Sequence, residues 1–385
     1  MSPNGAADAR PLVVHLLHRF DTGGLENGVV SVINHLPAFR HAVVAVTEIT
    51  AFKERVKAPG TQFIALNKPP GQGFWLYPRV YRLLRELRPA VVHTRNLGAM
   101  EFQLPAWAAR VPLRVHSEHG WDTNDLGGVS VTNQRLRRVY GVGTQRFVAL
   151  SKAIENYLTG PVGFAAERVQ RICNGVDTLR FAPSTTVPDA WLYRRSEHLV
   201  IGAVGRMQAV KDPLNLVDAF LRLRELCPAD WPRLRLIMLG GGPLLEAVQQ
   251  RLADTGAAGQ AWLPGDRSDI AQLLPQFDIF VLPSQAEGIS NTLLEAMACG
   301  CAPVATDVGG NAELVEAGEG GNGLLVPPQD SEALAAALAR LVAEPPLRQR
   351  LAAASLARVR EQFSLDRMVT AYGHLYAGDL PRSGG

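Results

Sequence analysis

Residues 199–212 read LVIGAVGRMQAVKD, a buried-looking run that ends in a glycine and is followed by two cations. A short apolar run of this length predicts a β-strand. From Leu214 to Leu226, apolar side chains then recur at helical spacing. The stretch therefore predicts a strand, a glycine-initiated loop and a helix, the unit from which doubly wound parallel sheets are built.

The same alternation extends in both directions from this stretch. In the first half, strands are predicted at 11–17, 42–47, 62–66, 90–93, 114–117 and 146–150, and helices at 25–36 and 77–87. In the second half, strands are predicted at 234–239, 261–263, 279–282, 303–306 and 324–326, and helices at 244–253, 292–298 and 331–343. Apolar strands separated by helices indicate parallel sheets covered on both faces. The predicted fold class is α/β, with two doubly wound, Rossmann-like domains that face a cleft.

Three segments make up the predicted domain organisation. A stretch bounded by Pro, Ser and Thr at 183–188 is typical of a linker. It separates an N-terminal domain, residues 1–185, from a C-terminal domain, residues 186–365. Residues 366–385 are predicted to hold the last helix and a tail, because the apolar side chains near the C-terminus fall on one helical side, at Met368, Val369, Tyr372 and Leu375.

Composition excludes several classes of protein. The 385 residues carry a net charge of only +3, which argues against a protein that binds nucleic acid through bulk charge. No run approaches about 18 apolar residues, so no transmembrane helix is predicted. The first residues lack the charged start and apolar run of a signal peptide. Four cysteines without zinc-ligand spacing favour a reduced, metal-free, cytoplasmic protein.

The charge is distributed unevenly along the chain. Residues 1–185 carry 22 Lys and Arg against 13 Asp and Glu, a net of +9, whereas residues 186–385 have a net of −6. The predicted helix at 77–88 and a later cluster contribute arginines to the basic half, namely Arg79, Arg82, Arg85, Arg88, Arg135, Arg137 and Arg138. One interpretation is a solvated helix face. The other is docking to an anionic membrane surface carrying a lipid-linked acceptor, which implies peripheral association with the inner face of the cell membrane.

The loop that follows the strand at 199–204 suits a diphosphate. Gly205 allows close approach to the backbone, Arg206 offers forked donors and Lys211 provides a point charge. The alternative interpretation is a solvated loop. Lys211 counts against it, because the chain contains only 5 lysines beside 34 arginines.

A second loop follows the strand at 279–282 and leads into a helix. Ser290 or Asn291 is typical of an N-cap, and the free N–H groups at such a helix start attract phosphate. Glu287 would then lie in the loop, where it can accept hydrogen bonds from hydroxyls. Glu295 would lie in the helix, where it can bind a ribose diol. The competing interpretation treats the two glutamates as the paired carboxylates of a glycosidase.

These motifs resemble those of the family-4 retaining glycosyltransferases of the GT-B fold. The segment 287–295, with a glutamate at each end, is the most specific of them. Supporting motifs occur in the same order at 23–26, 92–94, 119–120, 174–177 with Phe181, 240–243, 262–265, 303–310 with Glu313, and 323–326. The resemblance covers nearly the whole chain and is closest to transferases of bacterial exopolysaccharide or cell-envelope assembly. It also implies that the last helix crosses back to the first domain.

The resemblance implies roles for four residues near the reacting groups. Arg206 and Lys211 would hold the donor diphosphate, whose negative charge grows as the glycosidic bond breaks. Glu287 would bind donor sugar hydroxyls, and His119 would contact the donor sugar near the reacting centre. Other residues would complete the donor site. The N–H groups of Ser290, Asn291 and Thr292 would bind the phosphates, Glu295 the ribose, and Arg267 and Asp269 the base. The glycines that would allow close approach to the donor are Gly23, Gly24, Gly205 and Gly241.

The implied reaction is a front-face substitution that retains the anomeric configuration. The departing phosphate oxygen would help to deprotonate the acceptor hydroxyl, so that no enzyme nucleophile is required. The chain has no Asp-x-Asp sequence, and neither a metal nor a cofactor is predicted. The expected partners are a nucleotide-diphosphate sugar and a glycan or lipid-linked acceptor.

Other functions, and purely structural roles for several residues, stay open at this point. A sugar-nucleotide epimerase of the same fold and a non-catalytic sugar-nucleotide-binding protein are the alternatives, whereas a nicotinamide oxidoreductase is disfavoured because residues 23–28 lack the middle glycine of G-x-G-x-x-G. His93 is expected to be a core histidine, and Asn174 and Asp177 to form a turn. The three glycines at 240–242 are consistent with a tight turn, and Cys299 and Cys301 with buried packing.

Overall fold

The computed structural model describes residues 8–71, 73–121 and 125–378. It divides into two compact units. Unit 1 falls within residues 1–173 and 368–385, and unit 2 is formed by residues 174–367. The first seven residues and the predicted tail after Gly378 lie outside the described residues.

Unit 1 contains a seven-stranded parallel sheet. Its strands are β1 Leu12–Leu17, β2 Arg40–Ala45, β3 Gln62–Ala65, β4 Val91–Arg95, β5 Leu113–Glu118, β6 Arg146–Ala149 and β7 Val169–Arg171. Its helices are α1 Gly24–His35, α2 Tyr77–Leu87, α3 Leu97–Met100, α4 Gln103–Ala108, α5 Val131–Tyr140 and α6 Lys152–Thr159. The strand order is β3-β2-β1-β4-β5-β6-β7, so the chain starts centrally and winds outward in both directions, as in Rossmann-type sheets.

Unit 2 repeats this plan with six parallel strands. They are β8 Leu199–Val204, β9 Leu234–Leu239, β10 Ala261–Gly265, β11 Ile279–Leu282, β12 Ala302–Thr306 and β13 Leu324–Val326. The helices are α7 Pro213–Leu226, α8 Leu245–Asp254, α9 Ile270–Leu273, α10 Asn291–Ala298, α11 Asn311–Leu314, α12 Ser331–Ala343 and α13 Pro345–Gln362. The order β10-β9-β8-β11-β12-β13 again reverses direction beside the first strand. Two doubly wound parallel sheets are therefore present, as the sequence predicts.

Apolar side chains cover both faces of the sheet in unit 1. Leu12, Val14 and Leu16 belong to one buried cluster, whereas Leu17 and Val43 belong to another. Successive side chains of a strand point to opposite faces, so the two clusters lie on opposite sides of the sheet. This two-sided burial explains why the strands appear in the sequence as continuous apolar runs.

The last helix, α14 (Leu365–Gly378), packs on unit 1 from Met368 onward. Tyr376 is fully buried, and its hydroxyl lies 2.7 Å from Nδ1 of His93. Its ring also meets the ring of Phe39 edge-on, with centroids 5.7 Å apart. The predicted return of the last helix to the first domain is confirmed, and His93 is the core histidine that the sequence predicts.

A polar cluster lies beneath α14 and is called the histidine cluster below. Its members are His15, His41, His93, Arg95, Tyr372 and Tyr376. Arg95 is buried, and its Nη2 donates to Nδ1 of His15 at 3.1 Å. No carboxylate among the described residues forms an ion pair with Arg95. Burial, with the charge of Arg95, holds the pKa values of His15 and His93 well below the ordinary range, so both rings are neutral.

One of the two predicted basic patches in unit 1 is corrected by the structure. Arg137 is buried, and its Nε donates to Oε1 of Glu118 at 2.6 Å. Burial alone would raise the pKa of Glu118, but the hydrogen bond from His116 and the charge of Arg137 lower it to about 2. Arg138 donates to the carbonyl oxygens of residues 161 and 162. The cluster at 135–138 therefore serves packing within unit 1, because two of its three arginines have internal partners.

The chain leaves unit 1 before the predicted linker. Unit 2 begins at Asn174, whereas the sequence places the boundary at residue 185. Val176 explains the difference: its N–H donates to the carbonyl of Phe363 at 2.9 Å, and its carbonyl accepts from the N–H of Leu365 at 2.8 Å. Residues just after 173 are thus held by unit 2, and the Pro- and Ser/Thr-bounded stretch lies within that unit.

Candidate functional site

The loop after β8 is fixed by the turn after β9. The N–H of Gly205 donates to the carbonyl of Leu239 at 2.9 Å, and the N–H of Met207 donates to the carbonyl of Gly241 at 2.8 Å. Gly240 and Gly242 have φ values of +138° and +144°. These positive φ values favour glycine. The three glycines are therefore more than a tight turn, since they form the surface on which the loop carrying Arg206 rests.

A side chain at this turn would also meet the loop directly. A Cβ on Gly240 would collide with the carbonyl oxygen of Gly205, and one on Gly242 with that of Met207. The intervening Gly241 donates its N–H to Oδ1 of Asp266 at 2.7 Å. The turn thus connects the loop after β8 with the loop after β10.

Lys211 and Glu287 form an ion pair at the carboxyl ends of β8 and β11. Lys211 Nζ lies 2.5 Å from Glu287 Oε1, and the hydroxyl of Ser284 donates to the same oxygen at 2.7 Å. The Glu287 side chain is only 9% exposed, whereas that of Lys211 is 31% exposed. A nearly buried carboxylate needs such a partner, so the pair fixes the position of Glu287 and leaves part of the cation accessible.

Backbone contacts hold the two loops of this pair together. Lys211 ends a short 3₁₀ helix, Ala209–Lys211, and the next residue, Asp212, has a left-handed φ of +46° before Pro213 opens α7. The N–H of Gln285 donates to the carbonyl of Val210 at 2.8 Å. The two loops are therefore linked to each other where they support the Lys211–Glu287 pair.

The Glu287 loop also rests on the turn after β12. Gly309 has a φ of +54°, and a Cβ there would collide with the carbonyl oxygen of Glu287. The N–H of Gly310 donates to the carbonyl of Gly288 at 2.9 Å. In the sequence, Gly309 and Gly310 are only a supporting motif. Their contacts with Glu287 and Gly288, 22 residues earlier, cannot be predicted from the neighbouring residues.

Helix α10 begins where the sequence predicts. Ser290 is its N-cap, and the Ser290 hydroxyl accepts from the N–H of Leu293 at 3.3 Å. Asn291 is the first helical residue and Thr292 the second, so their N–H groups belong to the end of the helix that favours anions. Glu295 is half-buried one turn further along. The helix and its cap are thus confirmed, while the ligands of these residues stay a prediction.

Arg206 is the accessible cation of the site. Its side chain is exposed and makes no hydrogen bond or ion pair with any residue in the described ranges. It lines a small cavity together with Gly205, Lys211 and Ser284. Two cations therefore line the same cavity: Lys211, which is held by the carboxylate of Glu287, and Arg206, which is able to turn toward a ligand.

Arg267 and Asp269, which follow β10, are paired with each other. Arg267 donates from Nε and Nη2 to the two carboxylate oxygens of Asp269, at 2.8 and 2.6 Å. This hydrogen bonding raises the pKa of Arg267 and lowers that of Asp269. The guanidinium carbon lies 6.0 Å from the centre of the Trp262 ring. The pair forms a fixed polar edge close to the glycine turn at 240–242.

In unit 1, the predicted glycines begin helix α1. Gly23 is the N-cap residue in extended conformation, and Gly24 is the first helical residue. A Cβ on Gly23 would collide with the carboxylate of Glu26, which folds back over the helix start. Burial raises the pKa of Glu26. Gly23 therefore provides space for an acidic side chain of its own helix, a role that the sequence does not reveal.

His119 follows β5; the residue is half-buried, and both of its ring nitrogens are buried. Neither ring nitrogen has a hydrogen-bond partner among the described residues. Its backbone N–H donates to Oδ1 of Asn96 at 2.8 Å. Burial lowers the pKa of His119 to about 3, and the charge of Arg95 acts in the same direction. The ring is therefore neutral near pH 7, able to exchange a hydrogen bond but not to act as an acid.

The part of the chain that the structure describes contains no disulfide bond and no cluster of side chains that could bind a metal ion. All four cysteines are free thiols, and burial raises the pKa of Cys299 to about 12. Cys299 and Cys301 are buried packing residues, as predicted. Within residues 8–71, 73–121 and 125–378, no three His, Cys, Asp or Glu side chains gather in a way that could hold a metal ion. Over the same ranges, every helix is too short or too polar to cross a bilayer.

Two protein-family models match the chain, one in each half. The model of glycosyltransferase family 4 matches residues 22–180, and the model of glycosyl transferases group 1 matches residues 198–344. The chain belongs to these glycosyltransferases. The first match includes Gly23, Gly24 and His119, and the second includes both glycine-braced loops of unit 2.

Three relatives of this chain carry the names of bacterial glycosyltransferases. The lipopolysaccharide core biosynthesis mannosyltransferase LpsB of Rhizobium meliloti is 33% identical over 213 residues, covering 53% of this chain and 59% of that protein. The D-inositol 3-phosphate glycosyltransferase of Stackebrandtia nassauensis is 36% identical over 214 residues, covering 52% and 47%. The putative glycosyltransferase EpsF of Bacillus subtilis is 26% identical, covering 80% and 82%. The chain thus spans about half the length of the first two relatives.

Solved structures show that the chain has the GT-B fold. HepE of Anabaena, crystallised with UDP, superposes with a TM-score of 0.79 at 21% identity, covering 95% of this chain and 99% of HepE. WaaG, a glycosyltransferase involved in lipopolysaccharide biosynthesis, gives a TM-score of 0.70 at 16% identity, covering 95% and 100%. At such identities the likeness concerns the fold.

Proposed function

We propose that this protein transfers a sugar from a nucleotide-diphosphate donor to a hydroxyl of a glycan or lipid-linked acceptor, with retention of configuration and without a metal ion. We further propose a cytoplasmic role in exopolysaccharide or cell-envelope synthesis. The Lys211–Glu287 pair, held at 2.5 Å between two glycine-braced loops, carries the proposal. The relatives LpsB and EpsF, and the UDP and UDP-glucose in HepE crystals, support it.

In this proposal the donor diphosphate is held by unit 2. Arg206 and Lys211 supply positive charge, and the N–H groups of Asn291 and Thr292, beside the Ser290 cap, supply donors at a helix start. The glycosidic bond breaks with its electron pair passing to the phosphate oxygen, so negative charge grows on the leaving group. Lys211, already fixed by Glu287, and the helix N–H groups stabilise that charge with little reorganisation, and Arg206 turns toward it.

The remaining proposed contacts concern the sugar, the ribose and the base. Glu287 accepts hydrogen bonds from donor sugar hydroxyls, and the neutral ring of His119 exchanges one with the sugar. Glu295 takes the ribose hydroxyls. The paired Arg267 and Asp269 offer their fixed polar edge to the base. Close backbone approach to the nucleotide is proposed for the glycines Gly23, Gly24, Gly205 and Gly241.

Retention follows in this proposal from substitution on the front face of the sugar. The acceptor oxygen forms its bond to the anomeric carbon on the face that the phosphate leaves. The acceptor proton passes to the departing phosphate oxygen, so atoms and charge balance without an enzyme base. Glu287 then serves as a ligand, since it is already held by Lys211 and Ser284.

Nucleotide release from a panel of UDP-, GDP- and ADP-sugars tests the activity. We expect release with at least one donor in the presence of a glycan or lipid-linked acceptor, undiminished by EDTA, and an α-linked product from an α-linked donor by NMR. The variants Glu287→Ala and Lys211→Ala should strongly reduce release, by about 10²- to 10³-fold for Lys211→Ala. A panel in which no donor binds would overturn the proposal. Inversion at one carbon of the donor sugar, without transfer to an acceptor, would favour the epimerase. Binding of the donor without any reaction would favour the non-catalytic protein.

Membrane docking of unit 1 is a separate proposal, carried by the start of α2. Phe74 and Trp75 are 65% and 50% exposed just before this helix, and Arg79, Arg82 and Arg85 are exposed along it. Aromatic side chains beside arginines suit the interface of an anionic bilayer. Co-sedimentation with vesicles should therefore require anionic lipid and weaken in an Arg82→Glu/Arg85→Glu variant. Binding that ignores lipid charge would leave the arginines as a solvated face.

A further inference from the structure

A side-chain hydrogen bond links helix α10 to the place where the chain enters unit 2. Asn174 is the first residue of unit 2, and its Nδ2 donates to Oδ1 of Asn291 at 2.7 Å. Asn174 is only 8% exposed. Asn291 is the first residue of α10, at the end that the proposed function assigns to the diphosphate. The sequence predicts a turn for Asn174, but its side chain bonds a residue 117 positions away.

The other polar residue of the same motif behaves as the sequence predicts. Asp177 Oδ1 accepts from the N–H groups of Leu179 and Arg180, both at 3.0 Å. The N–H of Phe181 donates to the carbonyl of Asp177 at 2.8 Å. These are local turn contacts. The long-range bond is thus specific to Asn174.

The segment after Asn174 is also bonded to the segment that returns the chain to unit 1. Val176 exchanges two backbone hydrogen bonds with Phe363 and Leu365, at 2.9 and 2.8 Å. The chain leaves unit 2 shortly afterwards, between Arg367 and Met368. Both chain crossings are therefore paired with each other, and the first is bonded to α10.

We infer that Asn174 is a positioning residue for the donor diphosphate, which holds Asn291 and the start of α10 in register with the two chain crossings. The inference rests on the proposed function, because it requires a diphosphate at that helix start. Oδ1 of Asn291 needs an N–H donor, and Asn174 supplies one from a buried position. Because coupling is reciprocal, a ligand that orders Asn291 must also stabilise the paired crossings.

The inference is tested on the full chain with UDP, GDP and ADP as probes. In the Asn174→Ala variant, we expect the nucleoside diphosphate that binds the wild type to bind about fivefold more weakly by calorimetry, the effect of one lost hydrogen bond. In the wild type, the same nucleotide should slow amide exchange at Val176 and Leu365. In the variant, that slowing should be lost.

A second variant and a control separate positioning from folding. Asn174→Asp keeps the shape but faces Asn291 Oδ1 with another acceptor, so its loss of affinity should exceed fivefold. Asn322→Ala is the control: Asn322 is a buried amide of unit 2 bonded to Leu314 and Glu316, outside the proposed donor site. It should lower Tm and leave affinity and exchange at Val176 unchanged.

The outcomes distinguish the inference from the proposed function. Wild-type affinity and wild-type exchange in both Asn174 variants would overturn the inference and leave the proposed function intact. Failure of the wild type to bind any of the three nucleotides would overturn both. Weakened binding that is shared equally by Asn322→Ala would also overturn the inference, because it would reduce Asn174 to a general stabilising residue.

Discussion

Units 1 and 2 share a sheet order but carry their polar side chains in different parts of it. In unit 2, Lys211 and Glu287 lie in loops beyond the strand ends, where a ligand can reach them. In unit 1, His15 and His93 lie within strands, on a face that α14 covers. The same topology can therefore present polar residues to solvent or to a packed helix, depending on whether they follow the strand or belong to it.

The two regions also differ in how they hold a cation. Unit 2 pairs Lys211 with a carboxylate and keeps it partly accessible. Unit 1 buries Arg95 among neutral histidines and tyrosines. A buried charge without a counter-ion opposes protonation of its neighbours. The first arrangement is suited to a charged ligand, and the second makes the unit sensitive to pH.

The largest expected effect is on kcat, and it should differ between variants of Lys211 and His119. Lys211→Ala should lower kcat by about 10²- to 10³-fold, because it removes a fixed charge from the leaving group. His119→Ala should cost about tenfold, since a neutral ring with a pKa of about 3 offers one hydrogen bond. Steady-state release of the nucleotide measures both.

The control for this contrast is Arg222→Ala. Arg222 is an exposed arginine of unit 2 that pairs with Glu332 on the surface, and its loss should leave kcat unchanged. A His119 variant with a kcat as low as that of the Lys211 variant would contradict this prediction, because the reaction would then depend equally on unit 1.

A smaller effect is expected from the turn that supports Glu287. Gly309→Ala places a methyl group against the carbonyl of Glu287 at a φ of +54°, so we expect a loss of about 1–3 kcal/mol in the free energy of unfolding and reduced activity. Gly320→Ala is the matched control, with a φ of +80° and open space around the added carbon. Urea unfolding and nucleotide release measure the pair. Equal losses of activity in both variants would show that backbone strain, not the contact with Glu287, matters.

Much of unit 2 could be predicted from the sequence because its signals are local. The strands at 199–204, 234–239, 279–282 and 324–326 have the predicted bounds, and Ser290 caps α10 as expected. The sequence does not predict helix α13, because its buried residues, Leu351, Ser355 and Val359, include a serine and form no apolar stripe.

The contacts that assemble the candidate site could not be predicted from local patterns. Lys211 and Glu287 are 76 residues apart, and Asn174 and Asn291 are 117 apart. Each residue has a plausible function alone, so the sequence indicates the ligand chemistry but not the pairing. The burial of Arg137 is the opposite case: three arginines within four residues indicate a surface, whereas the ion pair with Glu118 holds one of them inside unit 1.

The smallest effect per residue concerns the histidine cluster and pH. Because the folded-state pKa values of His15 and His93 lie well below 6.5, the unfolded chain binds more protons below that pH. Stability should therefore be full above about pH 6.5 and fall below it, by about 1.4 kcal/mol per pH unit for each histidine. Urea unfolding at pH 7.5, 6.5 and 5.5 measures the slope. His93→Gln should reduce that slope by about 1.4 kcal/mol per pH unit. An unchanged slope in this variant would contradict a neutral cluster.

The packing of α14 on unit 1 has a consequence for the order in which the protein is made. All of unit 2 lies, along the chain, between the strands of unit 1 and the helix that covers them. A ribosome that adds about 5–20 residues per second completes unit 2 first. Until Tyr372 and Tyr376 have been synthesised, α14 cannot cover His15, His93 and Arg95. Unit 1 therefore cannot complete its packing before all of unit 2 has been synthesised.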